Sequence, residues 1–199
     1  DELFFLLCFS GGGMRASPLS YGVLEALART TIEWEGQRRR LLDEVDVISS
    51  VSGGSFTSAY YCLHGHRLFQ DFEEKFLKVN LQNKLLARAM IPWNWPRLAS
   101  GTFNNSDMAM EYYDRHLFQS ATFGDLGRRN RKPFLIINAT DISMGTPVSF
   151  NQAFFELICS DLMRFPISRA VAASSAFPSL PNPVTLKNYA GRCGPAGDR

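Results

Sequence analysis

Two stretches of small residues carry the groups that acyl or phosphoryl chemistry uses. The first is Ser50-Val51-Ser52-Gly53-Gly54-Ser55, which places the hydroxyl of Ser52 where a β-branched run gives way to small residues. A hydroxyl on a sharp strand-to-helix turn is presented to an electrophile, the arrangement known as a nucleophile elbow, G-x-S-x-G. Ser50 stands in the first glycine position, one small residue for another. Gly53 keeps bulk away from the hydroxyl, and Gly54 lets the next helix pack close to the strand. On this motif alone, a Ser/Gly turn without chemistry is the alternative.

The second stretch is Ser10-Gly11-Gly12-Gly13-Met14-Arg15-Ala16. Glycines ahead of a helix expose backbone N–H groups, and the helix dipole adds positive potential there. Such a loop can hold a phosphate or the oxyanion of a tetrahedral intermediate. The dinucleotide pattern G-x-G-x-x-G is not met, because Ala16 takes the last position and no acid follows at the end of a second strand. The G-K-[ST] of a phosphate-binding loop is absent as well. A plain glycine turn between strand and helix remains the alternative.

The elements that would position these loops are legible. Residues 3–9 form a continuous apolar run, as in a parallel strand covered on both faces. Ser17 is a candidate N-cap and Pro18 a first helical residue for a helix over 18–28, with Leu19, Val23, Leu24 and Leu27 on one stripe. Residues 30–43 are polar and connecting. Residues 45–48 read as a buried strand and 56–63 as a helix. Further helices are expected over 68–89, 107–117 and 167–176, and further strands over 134–141 and 146–150. Strands alternating with helices predict a parallel sheet, and in such sheets ligands bind at the carboxyl ends of the strands, where both loops lie. Asp141 closes the strand over 134–141 at that same edge and can support the site.

With these residues in view, the sequence resembles the patatin-like phospholipase family, and its Ser-Gly-Gly-Gly-x-Arg-Ala form is similar to the related cytosolic phospholipase A2 catalytic domain. A third match is Arg169-Ala170-Val171-Ala172-Ala173-Ser174-Ser175-Ala176-Phe177-Pro178, a small-residue helix ending in Ala-x-Pro, followed by Pro183-Val184-Thr185-Leu186. The resemblance runs from Leu3 to about Tyr189. It implies one α/β domain over residues 1–199, a patatin-like three-layer sandwich with a mostly parallel central sheet. It also implies a lipid acyl hydrolase that works by a Ser–Asp dyad without a catalytic histidine. Ser52 would be the nucleophile. Gly11, Gly12 and Gly13 would form the oxyanion loop, and Arg15 would support it. The family's Asp-Gly-Gly or Asp-Gly-Ala motif is not found. Asp198 is followed by Arg199 and is not assigned the base, so the resemblance implies a chain that stops before its catalytic aspartate. A thioesterase or peptidase on a similar elbow, and a lipid- or protein-binding module without turnover, are the other readings.

The remaining features bound these expectations. The 199 residues are 45% hydrophobic and 20% charged with net charge +2, the composition of a globular domain with no electrostatic case for nucleic acid. Arg38-Arg39-Arg40 and the basic run 128–132 read as solvated loops. The four cysteines form no C-x-x-C, and Cys8 and Cys159 read as buried thiols. His64 and His66 lack a third ligand, so no metal or cofactor is implied. No apolar run has the length of a membrane span; Asp1-Glu2 leads straight into a strand, as in a chain without a signal peptide, one whose leader has been removed, or a fragment; and the compartment is not specified. Trp93 and Trp95 lie in a segment broken by Pro92 and Pro96, which reads as a packed loop, a lid or a peripheral membrane contact.

Overall fold

A computed structural model describes residues 4–99, 103–129, 131–176 and 183–192. The order is β1 (Phe5–Phe9), α1 (Ala16–Arg29), β2 (Thr31–Trp34), β3 (Gln37–Arg40), β4 (Val45–Val51) and α2 (Gly53–His64). A π-helix (Leu68–Leu77), α3 (Leu81–Ala89), α4 (Trp95–Leu98), α5 (Asn105–Tyr113) and α6 (Phe123–Arg129) follow. The chain then runs through β5 (Phe134–Asp141), β6 (Thr146–Phe150), α7 (Gln152–Leu157) and α8 (Ile167–Ser175).

The main sheet has the order β1-β4-β5-β6, parallel except for β6, and is flanked by helices. This is the α/β class with a mostly parallel sheet that the sequence predicts. The expected strand boundaries over 134–141 and 146–150 are met to the residue. The core lies between the sheet and the helices, where Leu24, Ile48, Leu68, Phe72, Ile137 and Phe150 are all but fully buried. No helix among the described residues is long and apolar enough to cross a membrane.

Several local expectations are corrected. β1 lies at the edge of the described sheet, and Leu6 and Cys8 are exposed rather than covered. α1 starts earlier than expected and buries Ala16, Ser17, Ser20 and Leu24. That small-residue row lets it lie close to α2 and leaves Leu19 and Val23 outside. Residues 30–43 are not a featureless connection. β2 and β3 form a hairpin whose turn residues Glu35 and Gly36 both have left-handed φ, 50° and 73°, as a two-residue type I′ turn requires. Arg39 and Arg40 pair with Glu44 and Asp43 at 3.5 and 2.8 Å. The region 68–89 is two helices, because the chain breaks at 78–80 and the Asn80 side chain caps α3 by accepting from the Asn83 N–H at 3.0 Å. Cys159 is half-buried and disulfide-bonded.

Candidate active site

β4 ends at Val51 and α2 begins at Gly53, so Ser52 is the single residue of the turn between them. Its backbone sits at φ 52°, ψ −121°. A side chain adopts such a conformation at a cost of order 1–3 kcal/mol, and it persists where the surroundings over-determine it. The determinants are close by. A Cβ on Gly53 would drive into the carbonyl oxygen of Gly13 and lie 3.0 Å from the Ala16 Cβ. Gly53 therefore spares the backbone of the glycine loop. A Cβ on Gly54 would lie 2.9 Å from the Phe9 Cβ and from the Ser10 carbonyl oxygen, so this glycine lets α2 close onto the end of β1.

The glycine loop meets the elbow. A Cβ on Gly11 would lie 3.2 Å from the Ser52 Cβ and 3.8 Å from its Oγ. Gly12 and Gly13 have φ of 147° and 65°, which a residue with a side chain adopts only under strain. The N–H groups of Gly11 and Gly12 meet no acceptor among the described residues. Ser52 is half-buried beneath this exposed loop. The Arg15 side chain is exposed at the start of α1 and makes no ion pair among the described residues.

Hydrogen bonds fix the loop and the elbow to each other and to the sheet. Ser17, expected as a helix cap, instead donates its hydroxyl to the Gly53 carbonyl at 2.5 Å, and Thr57 returns a bond to the Ser17 carbonyl at 2.9 Å. Ser50 is buried, and its hydroxyl lies 2.7 Å from that of Ser58, which also reaches the Gly54 carbonyl. Asn138, opposite Val51 on β5, donates to the Ser49 hydroxyl at 2.9 Å and the Ser50 carbonyl at 3.2 Å, and accepts from Ser149 at 2.6 Å. Ser174, near the end of α8, touches the elbow directly: its Oγ accepts from the Ser52 N–H at 2.7 Å.

Asp141 stands three residues beyond Asn138 at the same edge. Its Oδ1 accepts from the N–H groups of Ser143 and Met144 at 2.8 and 3.3 Å, which holds the β5–β6 turn. No bond joins it to Ser52 among the described residues. Asp198 lies outside the described residues. The three histidines are held elsewhere. His64 contacts the Leu117 carbonyl, His116 the Tyr112 carbonyl and His66 the Arg40 guanidinium. No cluster of His, Cys, Asp or Glu able to hold a metal occurs among the described residues. The sequence reading missed Ser174 and the true partner of Ser17. The resemblance motif had already singled out the Ala173-Ser174-Ser175 run, without a role for the hydroxyl.

The family model for patatin-like phospholipase matches residues 7–192. The chain belongs to the patatin-like phospholipase family. No match is found among curated protein sequences. The patatin-like match runs from β1 to beyond α8, so the elbow, the glycine loop and the α8 serines all lie inside it. It is a family of lipid acyl hydrolases acting on ester bonds, and this patatin-like chain carries a lipid-ester hydrolase fold.

Proposed function

We propose that this protein cleaves carboxylic esters of lipids through an acyl-enzyme on Ser52. The observation that carries this reading is the left-handed Ser52, set on a strand-to-helix turn with Gly11 packed against its Cβ. In this reading Ser52 Oγ attacks the ester carbonyl and its proton passes to the aspartate of a Ser–Asp dyad. The oxyanion is held by backbone N–H groups of Gly11, Gly12 and Gly13, with Arg15 supporting the loop. The tetrahedral intermediate collapses, the alcohol leaves with a proton, and water then releases the fatty acid. Asp141 is the first acid to test as site support, since it lies at the same sheet edge.

The lipid class fits the surface around the elbow. Met14, Leu19, Val51, Ile142 and Met144 are all exposed, at or beside the carboxyl ends of the strands. A second apolar patch, formed by Leu86, Met90, Ile91, Trp93 and Trp95, is exposed as well, with Trp93 at 88%. In this reading it is the peripheral membrane contact, because indole rings favour the headgroup boundary.

The test is hydrolysis of phospholipid, thioester and peptide substrates by the wild type and by Ser52→Ala. Release of fatty acid from phospholipid that vanishes in Ser52→Ala supports the proposal. Faster thioester or peptide cleavage assigns another acyl hydrolase, and lipid association without turnover in both proteins assigns a binding module.

A further inference from the structure

Val51 stands opposite Asn138 in the last pair of the parallel β4–β5 ladder, and Ser52 follows it. The hydroxyl of Ser174 bridges the elbow to the neighbouring strand, accepting from the Ser52 N–H at 2.7 Å and donating to the Asn138 carbonyl at 2.6 Å. Its remaining capacity is used by Ser55, whose Oγ lies 3.2 Å away. One oxygen therefore ties together the elbow, the neighbouring strand and the helix α8.

We propose that Ser174 is a positioning residue for Ser52, holding the left-handed elbow by bridging the Ser52 N–H to β5. This deepens the proposed function and rests on Ser52 as the nucleophile. The backbone at φ 52° gains nothing from its own conformation, so its N–H needs an acceptor placed at one point. A missing acceptor would free the N–H to seek water. The hydroxyl prevents this, and its own position is fixed twice, by α8 and by Asn138. Asn138 is in turn clamped by its side chain to Ser49, Ser50 and Ser149, so the support passes across three strands. Ser175, the next residue, makes no such link: its hydroxyl bonds the Val171 and Ala172 carbonyls within its own helix.

The experiment compares the rate of fluorophosphonate modification at Ser52, located by peptide mapping, in wild type, Ser174→Ala, Ser174→Thr and Ser175→Ala. Thermal midpoints are measured alongside. A misplacement of the order of 1 Å at a reacting group costs ~100-fold. Ser174→Ala is expected to lose roughly 10- to 100-fold in the maximal modification rate, with the half-saturating reagent concentration unchanged. Ser174→Thr, which keeps the hydroxyl, is expected to recover most of that loss, and Ser175→Ala to match the wild type. A folded Ser174→Ala that reacts at the wild-type rate overturns the proposal. So does an equal loss in Ser174→Ala, Ser174→Thr and Ser175→Ala, which reports general damage to the helix. If Ser174→Ala does not fold, Ser174→Cys decides, since its thiol is a weak acceptor: a wild-type rate overturns the proposal and a slowed one supports it. A wild type unmodified at Ser52 removes the nucleophile and this proposal together, whereas a modified wild type with an unchanged Ser174→Ala removes the role of Ser174 alone.

Discussion

The two ends of α2 are held by opposite means. The end that follows Ser52 is Gly53-Gly54-Ser55, with Thr57 and Ser58 behind it, and its contacts are close backbone approaches and hydroxyl bonds to Ser17, Ser50 and Ser174. The far end is filled by aromatic rings. Tyr60 lies 4.9 Å from Phe72 and 4.4 Å from the His64 ring, and Phe72 stacks on Phe76 at 5.3 Å. Beside it, Asp71 accepts from Tyr60, Lys75 and Arg67 at 2.6 to 2.8 Å. Small residues place backbone to within a fraction of an ångström but bury little apolar area. Rings bury much area and tolerate small shifts. One helix thus separates placement from stability, with Ser52, the proposed nucleophile, at the end where placement matters.

That contrast can be broken from either end. The largest effect is expected for Gly53→Ala, because its Cβ would enter the space of the Gly13 carbonyl. The glycine loop must move, and fluorophosphonate modification of Ser52 should fall by roughly 100-fold or more. Measured modification within a few-fold of wild type would break the account of the site end. Next, Phe72→Ala should cost ~3–5 kcal/mol of unfolding free energy, as for large buried rings, while the folded fraction still reacts at Ser52. Chemical denaturation beside the labelling assay reads both, and a lost reaction with unchanged stability would reverse the comparison.

Smaller effects test the polar support of the far end. Partial burial would raise the Asp71 pKa, but hydrogen bonds from Lys75, Tyr60 and Arg67 outweigh it and hold the carboxyl at about 2, against 3.8 for an ordinary aspartate. A folded value below the unfolded one gives stability that is full above the unfolded value of 3.8 and is lost as pH falls toward about 2. Asp71→Asn should cost ~1–3 kcal/mol near neutral pH and flatten the midpoint-against-pH curve in that acid window. An unchanged curve contradicts the assignment. The smallest effect belongs to His64. Burial, followed by the nearby Arg67 and Arg129 charges, lowers its pKa from 6.5 despite the opposing Leu117 bond and Asp71 charge. Its contribution is full above 6.5 and fades as pH falls through the folded value. An NMR titration should place His64 below 6.5, and a value at or above it would remove burial as the cause.

The difference between the two ends also explains what was legible in the sequence. The elbow and the glycine loop are local patterns, so Ser52, Gly53, Gly54 and Gly11 to Gly13 stand out by spacing alone. The strand over 134–141 announces itself by its apolar run, Phe134 to Ile137. Ser174 does not, because its meaning depends on a residue 122 positions away and an alanine-rich helix gives its hydroxyl no distinguishing period. Ser17 was misread for a related reason: its position suits a helix cap, and only the approach of Gly53 shows another acceptor. The hairpin over 31–40 was hidden by its charge, since arginines paired to acids resemble a solvated connection. The break at 78–80 was hidden because the apolar residues on either side keep helical spacing.

The most direct test of the central claim is intact-mass and peptide-level analysis of fluorophosphonate labelling in the wild type and Ser52→Ala. The account predicts one adduct per chain, mapped to Ser52 and absent from Ser52→Ala. An adduct on another residue, an adduct that persists in Ser52→Ala, or none in the wild type would contradict it.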